Sequence, residues 1–395
     1  MSKPFPIFFS YLGYAVVSLA IAITCLEIAS SAIFALNQRM HRDPLVDVTP
    51  DSPAYAAYDW AKSCISDEEA RVKTRYIYVP FRLWGVTEWH GVCINNDRGE
   101  LGTVRRTINS YIPACATQPG KSIWVMGGST VYGTRVPDWA TLPSYLSREL
   151  NRIGCWQVTN LGVEGYATNQ EVIYLTQLLK TGRHPDILIL YDGFNDADLG
   201  STLPESPAPH MEYDLIRNRF EGSATGRLDF VKRSNTWQLF TSILSHRQAR
   251  ATRQNGELNA RAIAALDNYE QNLRIVRALA QNYGSQVLAF WQPALIYGHK
   301  PLAAYEQSLL DLSPRFSLQD LVPVYEEAEH RATATGNFIF LGNLFDHRAE
   351  PLYLDWAHLN PSGNRAVAQA LAEYVRSQPH AERKTDATKR NPTVK

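Results

Sequence analysis

The strongest constraint on the fold is an alternation of apolar runs with amphipathic helical patterns, which begins near Gly120 and continues to Ser377. The run DILILY, residues 186–191, is continuously apolar, as a central strand of a parallel sheet should be. Strands separated by helices predict a three-layer α/β/α sandwich with a central parallel sheet. The predicted strands are 123–126, 156–161, 186–191, 286–291 and 337–341, and the main helical patterns are 144–153, 169–180, 261–282, 302–335 and 363–377.

The N-terminus contains an apolar stretch, Ile7 to Leu26, of 20 residues without a charge. That is about the length that a helix needs to cross the hydrocarbon core of a bilayer. Because the apolar region of a cleaved signal peptide is roughly 7–15 residues long, we predict a retained transmembrane signal anchor within residues 1–40. Cleavage near Ala29-Ser30-Ser31-Ala32 is the alternative.

Two further segments do not follow the alternation of strands and helices. Residues 41–118 have no long helical period and predict a stalk with a small, loop-rich subdomain. An insertion at about 198–258 is rich in prolines, glycines and mixed charge, with some helix predicted around 237–244. The main domain is thus predicted at 119–378, and the polar residues 379–395 are predicted to be a disordered tail.

Charge and cysteine content bear on partners and compartment. Lys and Arg together number 39, as do Asp and Glu, so no net field attracts nucleic acid or an anionic membrane surface. Cys25 lies in the apolar stretch, whereas Cys64, Cys93, Cys115 and Cys155 follow it. An even number of exported cysteines predicts two disulfides in an oxidising compartment, with three pairings open. Four buried free thiols are the alternative.

Chemistry-bearing residues follow the predicted strands, where ligands bind in open α/β sheets. The first strand ends at Gly127-Gly128-Ser129, which makes Ser129 a candidate nucleophile, although Ser129 or Thr130 also suits an ordinary helix cap. His358 is the candidate base, and Asp355 is predicted to orient it from one turn of irregular helix. The Ser129 N–H, the Gly165 N–H and the Asn195 amide are the predicted donors to an oxyanion.

Taken together, four blocks resemble those of the SGNH hydrolases, also called GDSL-type esterases and lipases. They are Gly127 to Ser129, Asn160 to Gly165, Gly193 to Asp196 and Asp355 to His358, in the order of that family. The resemblance covers about residues 120–377 and implies a flavodoxin-like sandwich and a serine esterase that needs no cofactor and no metal. Gly128 departs from the family, which has Asp before the serine.

The function predicted from these features is a membrane-anchored, extracytoplasmic serine esterase that acts on acyl, above all acetyl, esters of a carbohydrate or cell-envelope polymer. The carbohydrate rests on the family and on the 9 Trp and 20 Tyr, since such rings commonly line sugar clefts. Alternatives are a glycan O-acetyltransferase that uses the same site and a non-catalytic polymer-binding or assembly protein on an esterase scaffold. An α/β-hydrolase is disfavoured because its Gly-x-Ser-x-Gly motif fails at Val131.

One group of acids invites a metal interpretation. Asp192, Asp196 and Asp198 lie close together after a predicted strand. Carboxylates in this position are more often helix caps and solvated loop residues than metal ligands. We therefore predict no metal site, and the oligomeric state is not predicted.

Overall fold

The structure is a computed structural model that describes residues 14, 17–18, 21–33, 52–73, 76–108, 120–221, 236, 255–311 and 318–378. Residues 21–33 are helical, and most of the predicted anchor Ile7 to Leu26 lies outside the described residues. Within the described ranges, no helix combines the length and the apolar character needed to span a membrane. The helix predicted around 237–244, the tail at 379–395 and Cys115 also lie outside the described residues.

Residues 52–108 form a small subdomain of one helix and two antiparallel sheets. Helix α1, Ala61–Lys73, follows a 3-10 turn at Pro53–Tyr55. The strands are β1 (Ile77–Val79), β2 (Leu83–Gly85), β3 (Trp89–His90), β4 (Asn95–Arg98) and β5 (Val104–Arg106), with β1 paired to β2, and β4 between β3 and β5. Helix α1 was not predicted, because its 13 residues carry no continuous apolar stripe.

A disulfide joins α1 to the loop before β4. Cys64 and Cys93 are bonded, with their Cα atoms 5.2 Å apart. The prediction of disulfides is therefore confirmed for these two residues. The spacing of the cysteines had left their pairing open. Cys155 is also disulfide-bonded, whereas Cys25 is a free thiol.

Five parallel strands build the central sheet, as predicted. They are β6 (Lys121–Gly127), β7 (Trp156–Asn160), β8 (Ile187–Asp192), β9 (Gln286–Trp291) and β10 (Ile339–Phe340), in the spatial order β10-β9-β8-β6-β7. Counted from β6, this is the flavodoxin-like order 2-1-3-4-5. From β6 the chain crosses to β7 on one side, and from β8 it crosses to β9 on the other side. The carboxyl ends of β6 and β8 therefore border the crevice where such sheets bind ligands.

Helices cover both faces of this sheet. The helices that follow β6 in the described part of the chain are α2 (Ser129–Tyr132), α3 (Leu142–Leu150), α4 (Thr168–Leu179), α5 (Phe194–Thr202), α6 (Tyr213–Glu221), α7 (Asn255–Asn282), α8 (Ala304–Asp311), α9 (Val322–Thr335) and α10 (Pro361–Ser377). Alternate strand residues point to opposite faces. Trp124 and Leu188 thus pack with α4, α7 and α9, whereas Ile123 and Ile189 pack with α3 and α10. The predicted three-layer architecture is confirmed.

Candidate active site

The turn after β6 presents Ser129 at the crevice. Gly128 is the N-cap of α2 and makes no side-chain cap, and Ser129 is the first helical residue, so the helix-cap interpretation of Ser129 is not what the structure shows. A Cβ atom on Gly128 would lie 2.5 Å from Asn195 Nδ2 and 3.1 Å from the Tyr166 carbonyl oxygen. The backbone before the serine therefore packs directly against the Asn195 side chain and the Tyr166 backbone, an arrangement that only glycine permits.

A hydrogen-bonded chain connects Ser129, His358 and Asp355. The distance from Ser129 Oγ to His358 Nε2 is 2.7 Å, and the distance from His358 Nδ1 to Asp355 Oδ2 is also 2.7 Å. With the Nδ1 proton donated to the carboxylate, Nε2 is left as the acceptor for the serine hydroxyl. The structure thus brings together three side chains that lie 229 and 3 residues apart in the sequence.

Asp355 and His358 lie in a tight turn, and the prediction of an irregular helical turn was wrong. The Leu354 N–H donates to the His358 carbonyl oxygen, and a β-bridge pairs Tyr353 with Leu359. The Asp355 Oδ1 accepts the backbone N–H groups of Ala357 and His358, at 2.9 and 2.8 Å. The carboxylate therefore fixes the turn that also carries the imidazole.

Arg135 is a site residue that the sequence did not indicate. Its Nη1 donates to Asp355 Oδ2 at 2.7 Å, and both side chains are buried. Its backbone has φ +67°, which is uncommon for a residue other than glycine. The N-terminal subdomain holds this conformation, because the Arg135 N–H donates to Glu68 Oε2 at 2.6 Å and Tyr55 Oη donates to the Arg135 carbonyl oxygen at 3.0 Å.

These partners determine the charge of Asp355. Burial by itself would raise the pKa of this carboxyl. The electrostatic attraction and hydrogen bonds of His358 and the charge of Arg135 outweigh burial, so the pKa of Asp355 lies well below its ordinary value. Asp355 is therefore ionised at neutral pH, as required of the carboxylate that orients a catalytic imidazole.

Gly165 and Asn195 border the same cavity as Ser129. Gly165 adopts φ +76°, and a Cβ atom there would lie 2.3 Å from Met211 Sδ. Asn195 lies in the first turn of α5, where Gly193 is the N-cap, so Asn195 and Asp196 do not take the cap position. The Asn195 Nδ2 donates one hydrogen to the Tyr166 carbonyl oxygen at 2.8 Å, which fixes the amide and leaves its second N–H for another acceptor.

The cavity has a volume of about 1050 Å³. Part of its wall comes from the N-terminal subdomain and from the insertion at about 198–258. Trp84 and Tyr76 belong to the N-terminal subdomain, and Met211, Leu215 and Ile216 belong to the insertion. These segments therefore determine the shape of the cleft in front of Ser129.

Glu164, next to Gly165, connects the N-terminal subdomain to the predicted oxyanion loop. Its carboxylate accepts hydrogen bonds from Arg71 Nη2 at 2.8 Å, Thr134 Oγ1 at 2.9 Å and Tyr76 Oη at 3.0 Å. Its carbonyl oxygen accepts one from Trp84 Nε1 at 2.9 Å. The loop that carries Gly165 is thus held by the end of α1, by Tyr76 and by β2 of the subdomain.

Asp192, the last residue of β8, and Asp196 in α5 are buried, so their assignment to caps and solvated loops was wrong. Burial raises the pKa values of Asp192, Asp196 and Asp198, and also that of Glu171 on α4. Asp196 Oδ1 accepts the Thr168 hydroxyl at 2.5 Å. Within the described part of the chain, no three His, Cys, Asp or Glu side chains are grouped so as to hold a metal ion.

No family model and no curated protein matches the chain. Among solved structures, it is similar to a lipolytic protein of the G-D-S-L family from Veillonella parvula, with 13% identity and a TM-score of 0.35 over 65% of this chain and 99% of that chain. It is also similar to the acetyl xylan esterase AlAXEase, with 14% identity and a TM-score of 0.36 over 64% of this chain and 99% of that one.

A third similar structure is that of a catalytic mutant of an acetylxylan esterase from Geobacillus stearothermophilus, with 13% identity and a TM-score of 0.35 over 67% of this chain and 98% of that chain. Similarities at this level carry no argument about the chemistry of this chain. Four observed features do bear on it: the sheet order, the serine after β6, the Asn195 loop after β8 and the Asp355–His358 turn before α10. Together they give the chain the arrangement that the resemblance to the SGNH hydrolases predicts.

Proposed function

We propose that the chain is a serine esterase of SGNH type that cleaves acyl esters by a Ser-His-Asp mechanism. The observation that carries this proposal is the hydrogen-bonded chain from Ser129 Oγ through His358 to Asp355, with 2.7 Å at each of its two links. A serine hydroxyl becomes a competent nucleophile when a positioned imidazole accepts its proton. Asp355 acts on the ester through His358, and Arg135 acts through Asp355.

The reaction follows from these positions. Ser129 Oγ attacks the acyl carbonyl carbon while His358 Nε2 takes the hydroxyl proton, and the oxyanion accepts hydrogen bonds from the Ser129 N–H, the Gly165 N–H and the Asn195 amide. His358 then gives its proton to the leaving alcohol. In the second half, His358 activates water, which attacks the acyl-enzyme, releases the acid and restores Ser129.

The proposed substrate is an acyl ester, above all an acetyl ester, of a carbohydrate or cell-envelope polymer. A cavity of about 1050 Å³ greatly exceeds the needs of an acetyl group, so most of it is available to the alcohol part of the substrate. Trp84, Tyr76 and Tyr166 line it, and aromatic rings are suited to the apolar faces of sugars.

The proposed location is outside the cytoplasm, with the chain anchored to a membrane by its N-terminal segment. The uncharged stretch Ile7 to Leu26 supports an anchor. The Cys64–Cys93 disulfide supports an oxidising compartment, since structural disulfides are rare in the cytosol.

The nucleophile is tested directly with a fluorophosphonate probe, which forms a covalent bond with activated serines. We expect the full chain to be labelled at Ser129, as read by mass spectrometry of the modified peptide. Ser129→Ala should not be labelled, whereas Thr130→Val, which changes the neighbouring hydroxyl in the same cavity, should be. Labelling of folded Ser129→Ala to the wild-type extent would overturn the assignment.

We expect Asn195→Ala to lower kcat by about 10²–10³, the usual effect of removing one oxyanion donor. KM should change much less, because the amide is matched to charge that develops in the transition state. Steady-state hydrolysis of a small acetyl ester measures both quantities. An unchanged kcat would remove Asn195 from the oxyanion hole.

Transfer of the acyl group to a sugar is the second candidate function. The observation that favours it is the cavity wall built by Trp84, Met211 and Leu215, because this wall offers a surface on which an acceptor could bind. Water at about 55 M competes for the acyl-enzyme, and a transferase must exclude it or hold a better-placed hydroxyl. We expect hydrolysis: acetate should be released from an acetyl ester even when free oligosaccharide is abundant. Negligible acetate release with acetylation of the added oligosaccharide would replace the hydrolase by the transferase.

A further inference from the structure

A second cavity, of about 270 Å³, lies between the β1–β2 hairpin, the turn from β4 to β5, and α4. It is separate from the catalytic serine, although the same hairpin contributes Leu83 and Trp84 to the catalytic cavity. Among the residues that the structure describes, no Asp or Glu lines it, whereas two arginines do. Its lining residues with polar side-chain groups are Arg82, Arg98, Thr103, Tyr174, Gln177 and Thr181.

Arg82 is a buried cation without a carboxylate partner. Its side chain stacks on the Tyr174 ring, with the guanidinium carbon 3.7 Å from the ring centroid, and the residue is only 6% exposed. Its Nε is buried without a hydrogen-bond partner. Among the residues that the structure describes, no carboxylate forms an ion pair with it, although buried charges are normally paired or bound to a ligand.

The backbone around Arg82 is strained on both sides. Phe81 has φ +65° and Leu83 has φ +72°, a left-handed conformation that costs energy for bulky residues and is concentrated at functional sites. The second arginine of the cavity, Arg98, is exposed at its edge, where its Nε donates to Glu88 at 2.9 Å. Among the described residues, therefore, none supplies a negative charge to Arg82 in this cavity.

We propose that this cavity binds an oxyanion group (sulfate, phosphate or carboxylate) with Arg82 as its counter-ion. A guanidinium matches the geometry of such groups with parallel N–H donors, and burial strengthens the attraction. The group belongs either to a free inorganic anion or to an acidic unit of the polymer substrate. The second source rests on the proposed esterase function, and the first does not.

The test is the binding of sodium sulfate and sodium phosphate to the full chain, measured by calorimetry at constant ionic strength set with chloride. We expect saturable binding by the wild type and a loss of affinity of at least about tenfold in Arg82→Gln, as for a charged hydrogen-bond partner. Arg148→Gln is the matched control, because Arg148 also stacks on a tyrosine, Tyr145, at 4.4 Å, but outside this cavity. It should bind as the wild type does.

A second variant keeps the test decisive if Arg82→Gln does not fold. Arg98 is exposed, so Arg98→Glu should fold, and its reversed charge should weaken sulfate binding by about fivefold. Absence of saturable binding by the wild type, or wild-type affinity in the folded Arg82 or Arg98 variants, would overturn the proposal.

The source of the anion is assigned by kinetics. If the cavity binds an acidic unit of the substrate, Arg82→Gln should raise KM for an acetylated acidic oligosaccharide by roughly tenfold and leave KM for a neutral one unchanged. If the ligand is a free anion, both KM values should stay the same while sulfate binding is lost. An inactive wild type would contradict the esterase and leave the sulfate measurement valid.

Discussion

Ser129→Ala and His358→Ala are each expected to lower kcat for a small acetyl ester by about 10⁶, the loss seen when a triad nucleophile or base is removed. Both side chains border the cavity, so the fold should survive their truncation. Asp355→Asn should retain more activity, with a loss of about 10⁴, because nucleophile and base remain while the tautomer and the charge are disturbed.

Hydrolysis rates and far-ultraviolet circular dichroism of the purified variants check this expectation. Thr130→Val is the matched control, since Thr130 donates to Gln292 in the same cavity and has no place in the hydrogen-bonded chain. Its activity should stay within about tenfold of the wild type, the worth of one ordinary hydrogen bond. Undiminished hydrolysis by Ser129→Ala would rule out the proposed mechanism.

Arg135→Met is expected to change both stability and the pH dependence of catalysis. Removing one partner of a buried ion pair typically costs about 3–5 kcal/mol of unfolding free energy. Without Arg135, the Asp355 carboxylate holds the proton of His358 more strongly. The acid limb of the kcat/KM profile should therefore move to higher pH, and Arg135→Lys should partly restore both properties.

The stability effect should itself depend on pH. Because the pKa of Asp355 is lowered in the folded protein, its ionisation stabilises the fold above the ordinary carboxyl pKa of about 3.9 and loses this effect as the pH falls through and below that value. The wild type and Arg135→Met should thus differ most in urea unfolding near neutral pH and converge in acid.

Tyr55→Phe tests the hydrogen bond that supports the Arg135 backbone separately from the charge of the Arg135 side chain. It removes the hydrogen bond to the Arg135 carbonyl oxygen and leaves the guanidinium in place. We expect a loss of about 1 kcal/mol of stability and an unchanged pH profile. An acid limb that does not move in Arg135→Met would limit Arg135 to a structural role.

The parts of the fold and site that the sequence predicts are those with local signatures. Buried parallel strands are continuous apolar runs, so the strand over Gln286–Trp291 was predicted at its observed bounds. Glycines and polar side chains directly after β6 and β8 indicated the Ser129 and Asn195 loops. Parallel strands bring those loops to one edge of the sheet, which explains why short motifs far apart in the chain could be combined.

Other features depend on contacts that no local pattern encodes. Arg135 and Asp355 are 220 residues apart, and nothing near Arg135 distinguishes it from a surface arginine. The spacing of Asp355 and His358 fits a helical turn and a tight loop equally well. The burial of Asp192 at the end of β8 is likewise a property of the assembled layers, because α4, which carries Glu171, packs against that end of the strand.

The contact between residue 128 and the Asn195 amide makes the two positions epistatic. Any side chain at 128 would begin 2.5 Å from the amide nitrogen and 3.1 Å from the Tyr166 carbonyl oxygen that holds it. Introducing the aspartate that the GDSL motif carries at this place would therefore displace the amide proposed to bind the oxyanion. In this chain, an aspartate at position 128 is compatible with the site only if the Asn195 side chain shifts, so the residue before the serine and the oxyanion amide constrain each other.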